Sequence, residues 1–240
     1  MNTRREDETA GDEIATAILE QVGAAAGLRF DRSSTAERVA DVLRELISSG
    51  DLPPGTPLRE QQLVASFEVS RNTIREAFRL LGRERLVVYQ LHRGVAVREL
   101  EEHDVHDIYR TRRPLELMAI EYSADAPRES LLALIELVDE AEAAAAAGDW
   151  KQVGTLNISF HQHLVELIGS ERISAFFRVV DAELRLAFAL VEPADLYSPF
   201  IPRNRKIAEL LVAGERRAAA AELTVYLEEA ERLIRAGVRR

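Results

Sequence analysis

The stretch Leu63-Val-Ala-Ser-Phe-Glu-Val-Ser-Arg-Asn-Thr-Ile-Arg-Glu-Ala-Phe-Arg79 decides how this chain is read. It predicts a short helix, a tight turn and a second helix. Ser70 is placed to cap the second helix, because its hydroxyl can accept from a free backbone N–H of the first turn. Ile74, Ala77, Phe78 and Leu81 recur at helical spacing and so face a core. Arg71, Arg75, Arg79 and Arg83 recur every four residues and form one slowly rotating stripe. The first turn therefore presents Arg71, Asn72, Thr73 and Arg75 together. A helix-turn-helix offers hydrogen-bond donors to a DNA major groove in this way.

The flanking sequence completes a small domain. Val39, Leu43, Leu46 and Ile47 follow Ser34/Thr35 at helical spacing, and Gly50 closes that helix. Asp51-Leu-Pro-Pro-Gly-Thr-Pro57 is a turn-rich connector, and Arg59 to Phe67 form the next helix. Beyond the second helix of the motif, Leu86-Val-Val-Tyr-Gln90 and Gly94-Val-Ala-Val-Arg98 are short β-branched runs joined by Leu91-His-Arg-Gly. They predict a hairpin that serves as a wing. Its tip, Arg93-Gly94, can reach a minor groove, where glycine permits close approach. Arg71 and Arg75 suit guanine O6 and N7, and Asn72 suits adenine. Ser70 and Thr73 suit phosphate oxygens, helped by the helix N-terminus.

The charge distribution agrees with this reading. The 240-residue chain has a net charge of −10. Residues 1–32 hold four basic and seven acidic side chains, and residues 33–99 hold ten basic and nine acidic. Within the latter, residues 69–98 carry seven arginines against Glu76 and Glu84. A basic island in an acidic protein is a local footprint for phosphate. The absence of cysteine excludes disulfides and thiolate metal sites. No apolar run approaches the ~20 residues that span a bilayer, and the acidic N-terminus has no signal-peptide core. A cytoplasmic protein is expected.

From Glu101 onward the pattern is helical throughout. The expected helices are 104–124, 128–147, 149–168, 171–192, 202–213 and 215–236, with Asp104 and Asp107 forming the cap of the first. The loop Glu192-Pro-Ala-Asp-Leu-Tyr-Ser-Pro-Phe-Ile-Pro202 separates two of them. The fold class is thus mainly α, with an N-terminal winged helix-turn-helix over 33–100 and a C-terminal antiparallel helical bundle over 101–240. Residues 1–32 form an arm that is partly helical or disordered. Helices of these lengths can enclose a cavity.

Residues 35–98 resemble the winged helix-turn-helix of the GntR family of bacterial transcription regulators. The resemblance is carried by Leu43-Arg-Glu-Leu-Ile-Ser-Ser-Gly50, Leu52-Pro-Pro-Gly-Thr-Pro-Leu-Arg-Glu60, Val69-Ser-Arg-Asn-Thr-Ile-Arg-Glu-Ala77 and Gly94-Val-Ala-Val97. It implies DNA contacts from Ser70, Arg71, Asn72, Thr73, Arg75, Arg93 and Gly94. Gln61 stands where members often have an arginine. Phe67 and Phe78 replace smaller aliphatics, which points to a repacked core. Residues 101–240, opening Asp104-Val-His-Asp-Ile-Tyr-Arg-Thr-Arg112-Arg-Pro-Leu-Glu116, are similar to the effector-binding and dimerisation (FCD-like) domain of the FadR-type subgroup. This resemblance implies a homodimer on double-stranded operator DNA.

Many members of that subgroup hold a divalent metal with an aspartate and three histidines. Laid on this chain, the pattern places Asn157 at the aspartate and His161 at the first histidine. Asn204 and Tyr226 fall at the other two. One imidazole with amides and a phenol lacks the charge and the nitrogens of a divalent site. No resident metal or cofactor is expected, and the set allows at most a weakly held ion at His161. Arg112, Asn157, His161, Arg185, Asn204 and Tyr226 are instead candidates for binding a small acidic metabolite. His103 and His106, beside Asp104 and Asp107, read as a solvated helix start.

No nucleophile elbow, phosphate loop or dinucleotide fingerprint is present, so an enzyme is not expected. The sequence supports a transcription regulator, in the repressor direction, whose operator affinity an organic acid modulates. The alternative keeps the DNA-binding domain and makes the bundle a dimerisation scaffold that has lost effector and metal binding.

Overall fold

The computed structural model describes residues 34–91, 93–188 and 191–239. The arm expected over 1–32 lies outside the described residues. The backbone divides into two compact units, the first ending at Glu99 and the second running from Leu100.

The first unit begins with α1, Thr35–Ser49. Ser34 and Glu37 cap it reciprocally: the serine hydroxyl accepts from Glu37 N at 3.2 Å, and the Glu37 carboxylate accepts from Ser34 N. A two-residue strand β1, Pro57–Leu58, and helices α2, Glu60–Phe67, and α3, Arg71–Arg83, follow. Then come strands β2, Val87–Gln90, and β3, Gly94–Val97. The sheet order is β1-β3-β2, antiparallel throughout, with Leu58 opposite Val95 and Val88 opposite Ala96.

Strand β1 corrects the expectation that Pro57 merely ends a turn. Val97 N–H donates to Thr56 O at 2.9 Å, and Gly55 N–H donates to Val97 O at 3.0 Å. The connector therefore has a sheet edge to join that its turn-rich composition did not announce.

Leu43, Leu52, Leu63, Ile74, Phe78, Leu81 and Leu86 are fully buried and make the core of this unit. Phe67 and Phe78 are both buried there, so the two aromatics do fill core positions. Arg44 bridges α1 to the end of α3 through a two-pronged contact with Glu84, at 2.6 and 2.7 Å.

The second unit contains α4, Glu102–Tyr122; α5, Arg128–Ala146; α6, Trp150–Glu166; α7, Glu171–Phe188; α8, Pro193–Tyr197; α9, Ile201–Val212; and α10, Arg216–Val238. Helix α6 packs against α4, α5, α7 and α8, while α10 packs against α4 and α9. Leu134, Val153, Phe160, Leu164, Phe177, Ile207, Leu223 and Leu227 fill the interior.

Two expectations need correction. Helix α4 starts at Glu102, and its cap is formed by Glu101 with Asp104, not by Asp104 with Asp107. Asp104 accepts from Glu101 N at 2.9 Å. The helix expected over 171–192 is described as far as Phe188, and the supposed loop after it contains α8, with Pro193 in its first turn.

Candidate DNA interface and the buried polar chain

Two groups of side chains gather the candidate residues, one in each unit. In the first unit, Ser70 has extended backbone geometry and accepts from Thr73 N at 3.1 Å. Its hydroxyl also lies 2.8 Å from the Thr73 hydroxyl. These bonds lock the start of α3 and leave Arg71 and Asn72 projecting, exposed, from its first turn. Arg75, Arg79 and Arg83 are exposed along the same helix, so the expected stripe exists.

The arginines differ in their partners. Arg79 is held by Glu76 of its own helix at 3.0 Å. Arg75 is held from the neighbouring helix, its Nε donating to Glu60 Oε1 at 3.0 Å. At the wing tip, Arg93 N–H donates to Gln90 O at 3.1 Å and closes the turn. Gly94 has φ +88, with open space where a side chain would stand. Its need for glycine is therefore one of backbone conformation rather than crowding. Tyr89 and Leu91, exposed by 60% and 85%, add apolar surface to the wing. Sequence reasoning passed over both: Tyr89 reads simply as part of a strand, and Leu91 as part of the hairpin connection.

In the second unit, a single chain of hydrogen bonds joins most of the ligand candidates. Arg112 Nε donates to Glu116 Oε1 at 2.9 Å. Glu116 Oε2 lies 2.7 Å from His161 Nδ1, and His161 Nε2 lies 2.9 Å from the Tyr226 hydroxyl. Asn157 Nδ2 donates to the Tyr226 oxygen at 3.0 Å. All members are buried except Asn157, which is half-buried.

The charges fix the direction of the protons. Burial opposes ionisation of Glu116, but Arg112 and His161 outweigh it and hold its carboxyl below the usual range. An ionised Glu116 needs a donor, so His161 Nδ1 carries the hydrogen. Burial also holds His161 below its ordinary pKa and keeps the ring neutral, so Nε2 accepts from the Tyr226 hydroxyl.

The geometry bears directly on a metal. His161 has a carboxylate behind Nδ1, the usual way of orienting a metal-ligating imidazole. In front of Nε2, however, stands the Tyr226 hydroxyl, 2.9 Å away. Among the described residues no group of three or more His, Cys, Asp or Glu side chains is placed to hold a metal ion.

Glu116 and Asp181 are the members that sequence reasoning missed. Asp181 is buried, 3.6 Å from Arg112. That is too long for a good hydrogen bond, and burial pushes the carboxyl up to about 7. The Arg112 guanidinium also lies over the rings of Tyr109 and Phe177, at 5.4 and 5.7 Å from their centroids. With two carboxyl groups and two rings around it, Arg112 is committed within the core. A run of acidic residues on amphipathic helices gives no sign of which one turns inward, though Glu116, four residues after Arg112, was open to detection as a helical pair.

Arg185 has a different setting. Its Nη2 donates to the Thr155 hydroxyl at 3.2 Å, and no carboxylate pairs with it among the described residues. Burial lowers its pKa, opposed by Tyr197 and Asp181. Asn204 is buried, its Oδ1 without a hydrogen-bond partner among the described residues, and it lines a cavity of about 10 Å³ together with Asn157, Phe160, Tyr197 and Ile201. Tyr197 fits here because residue 154 is glycine: a Cβ at 154 would lie 2.6 Å from the Tyr197 oxygen.

His103 is exposed beside Glu101 and Asp104, as a solvated helix start requires. His106 instead meets Glu231 of α10 at 2.7 Å.

Comparison with known proteins is consistent with both units. The sequence profile of bacterial regulatory proteins of the gntR family matches residues 35–97, and that of the FCD domain matches residues 107–229. The chain belongs to the GntR family of transcription regulators, and to its members with an FCD domain. It is 32% identical over 180 residues to the HTH-type transcriptional regulator YdhC of Bacillus subtilis, covering 74% of this chain and 80% of that protein. It is 26% identical over 199 residues to a probable D-xylose utilization operon repressor of Paenarthrobacter nicotinovorans, covering 83% of this chain and 88% of the relative. A crystal structure of a GntR regulator from Rhodococcus matches with a TM-score of 0.78 and 38% identity, over 84% of this chain and 98% of the other. This GntR-family protein is therefore a DNA-binding transcription regulator built from a winged helix-turn-helix and a helical FCD domain. No described helix is long and apolar enough to cross a membrane.

Proposed function

We propose that the chain is a cytoplasmic, homodimeric repressor, released from its operator by a small organic acid that binds in the helical unit without a resident metal. DNA contact is assigned to Ser70, Arg71, Asn72, Thr73, Arg75, Arg93 and Gly94. The observation that supports an acidic effector is Arg185, a guanidinium with a hydroxyl partner and no carboxylate partner among the described residues. An incoming carboxylate would supply the missing charge. Asn204 Oδ1, buried and without a hydrogen-bond partner among the described residues, favours a ligand that also carries a hydroxyl. Such a ligand exceeds the present cavity, so Tyr197 would have to yield. Its binding must differ between the DNA-bound and released arrangements, since equal affinity for both would regulate nothing.

A second reading, the bundle as a dimerisation scaffold without effector, draws support from the small cavity and from a polar chain that largely satisfies itself. Thermal-shift screening against organic acids and acyl thioesters separates the two. Stabilisation by an acid, lost in Arg185→Gln, supports the effector reading. A uniformly flat response leaves the scaffold.

A further inference from the structure

Glu60 is the first residue of α2, and its carboxylate reaches across to α3 to hold Arg75. The contact runs from Arg75 Nε to Glu60 Oε1 at 3.0 Å, with side-chain exposures of 58% and 33%. Two features make it more than a surface ion pair. Glu60 sits on the first helix of the helix-turn-helix and Arg75 on the second, so the contact fixes the arginine from outside its own helix. The contact also uses Nε. A guanidinium is a planar fork, and with Nε engaged, its remaining Nη1 and Nη2 edge is directed away from Glu60. Arg71 and Arg79 have no such constraint: Arg79 is paired within its own helix, and no hydrogen bond or ion pair of Arg71 occurs among the described residues.

A carboxylate on this face also carries a cost. DNA affinity that does not depend on sequence comes from neutralised phosphates, each releasing counterions. Glu60 cancels one positive charge per protomer at the surface that would meet them. A residue that weakens general attraction while aiming a base-reading fork has one clear use.

We propose that Glu60 is a specificity-determining residue. It orients Arg75 so that the Nη edge meets the O6 and N7 acceptors of one guanine in each half-site, and it lowers affinity for all other DNA. The proposal rests on Arg75 being a reading side chain of the recognition helix.

The test uses the full-length protein and duplexes enriched by it from a random-sequence pool. Base preference at each position, affinity for a scrambled duplex, and the dependence of that affinity on sodium chloride are measured for wild type, Glu60→Ala, Glu60→Gln and Arg75→Lys. Glu60→Ala is expected to lose about tenfold of the discrimination at a single base pair per half-site. The same variant binds the scrambled duplex more tightly, with a steeper salt dependence. Arg75→Lys keeps the charge but not the fork, and it loses preference at that same base pair. Glu60→Gln retains an acceptor for Nε, so it keeps part of the preference while sharing the tighter scrambled binding. Thermal melts establish that each variant is folded, and Arg75→Lys gives an independent measure should Glu60→Ala unfold. Unchanged base preference in Glu60→Ala, or loss at different base pairs in Glu60→Ala and Arg75→Lys, overturns the proposal.

Discussion

The Tyr226 hydroxyl lies 2.9 Å from Nε2 of His161, at the ring nitrogen a metal would require. The imidazole is already oriented from behind by Glu116 at 2.7 Å. This contact links α10 to α6, while Glu116 extends the link to α4.

Restoring acid and imidazole at these positions should restore metal affinity. The triple variant Asn157→Asp, Asn204→His, Tyr226→His is expected to bind one divalent ion per chain and to melt higher with added zinc. The wild type is expected to show neither effect. Elemental analysis of protein purified without added metal checks both. A stoichiometric ion in the wild type would sink the metal-free reading. Tyr226→Phe, which strands His161 Nε2 without a donor, should cost about 1–3 kcal/mol of stability in denaturant unfolding.

Asp181 and His161 together make stability depend on pH from both sides. Burial pushes Asp181 up to about 7, against roughly 4 in an unfolded chain. Between those values the folded state keeps a proton that the unfolded state has released. Stability from this residue is thus full below about pH 4 and is lost as pH rises toward 7. Burial lowers the pKa of His161, so its contribution is present above about pH 6.5 and is lost as pH falls below that. Asp181→Asn should remove only the first effect. Between pH 4.5 and 7.5, the unfolding free energy of wild type is expected to fall by roughly 2–4 kcal/mol relative to the variant. Parallel curves would show that Asp181 is ionised throughout.

Arg71 projects from the first turn of α3, and Arg83 from its last. Arg71→Ala should weaken binding to a selected duplex by about 1–3 kcal/mol in fluorescence anisotropy titrations. Arg83→Ala should change it only a few-fold, as the loss of one screened charge does. Equal losses would mean that the stripe acts as an undifferentiated phosphate surface.

Glu68, in the turn between α2 and α3, has φ +53, a left-handed conformation costly for residues with a side chain. Glycine adopts it freely. Glu68→Gly is expected to stabilise the protein by about 1 kcal/mol, offset in part by the greater freedom of the unfolded chain. A raised Tm with unchanged DNA affinity would agree. A lowered Tm would mean that the glutamate side chain makes a stabilising contribution of its own.

The winged domain was largely legible in the amino-acid sequence because local rules govern it. The helix spacing of Ile74, Ala77, Phe78 and Leu81, the cap at Ser70 and the β-branched runs around Leu91-His-Arg-Gly each act within a few residues. The contact of Glu60 with Arg75 was not legible, since nothing local says that residues fifteen apart will meet. In the bundle, His161 and the substitutions Asn157, Asn204 and Tyr226 stood out against a family pattern, but their bonding did not.

The sequence by itself determined that a basic recognition helix lies within an acidic, mostly helical chain, and that one imidazole is available where a metal would need several. Those properties follow from residue type and short-range periodicity. Only the tertiary structure decided that Glu116 and Asp181 turn inward to oppose Arg112, that the Tyr226 hydroxyl meets His161 Nε2, and that Arg185 has a hydroxyl and no carboxylate as its partner among the described residues. The physical reason is that an acidic side chain on an amphipathic helix has no marked destination. Whether it meets water or an arginine depends on helices far away in sequence, and burial then makes the choice strongly felt.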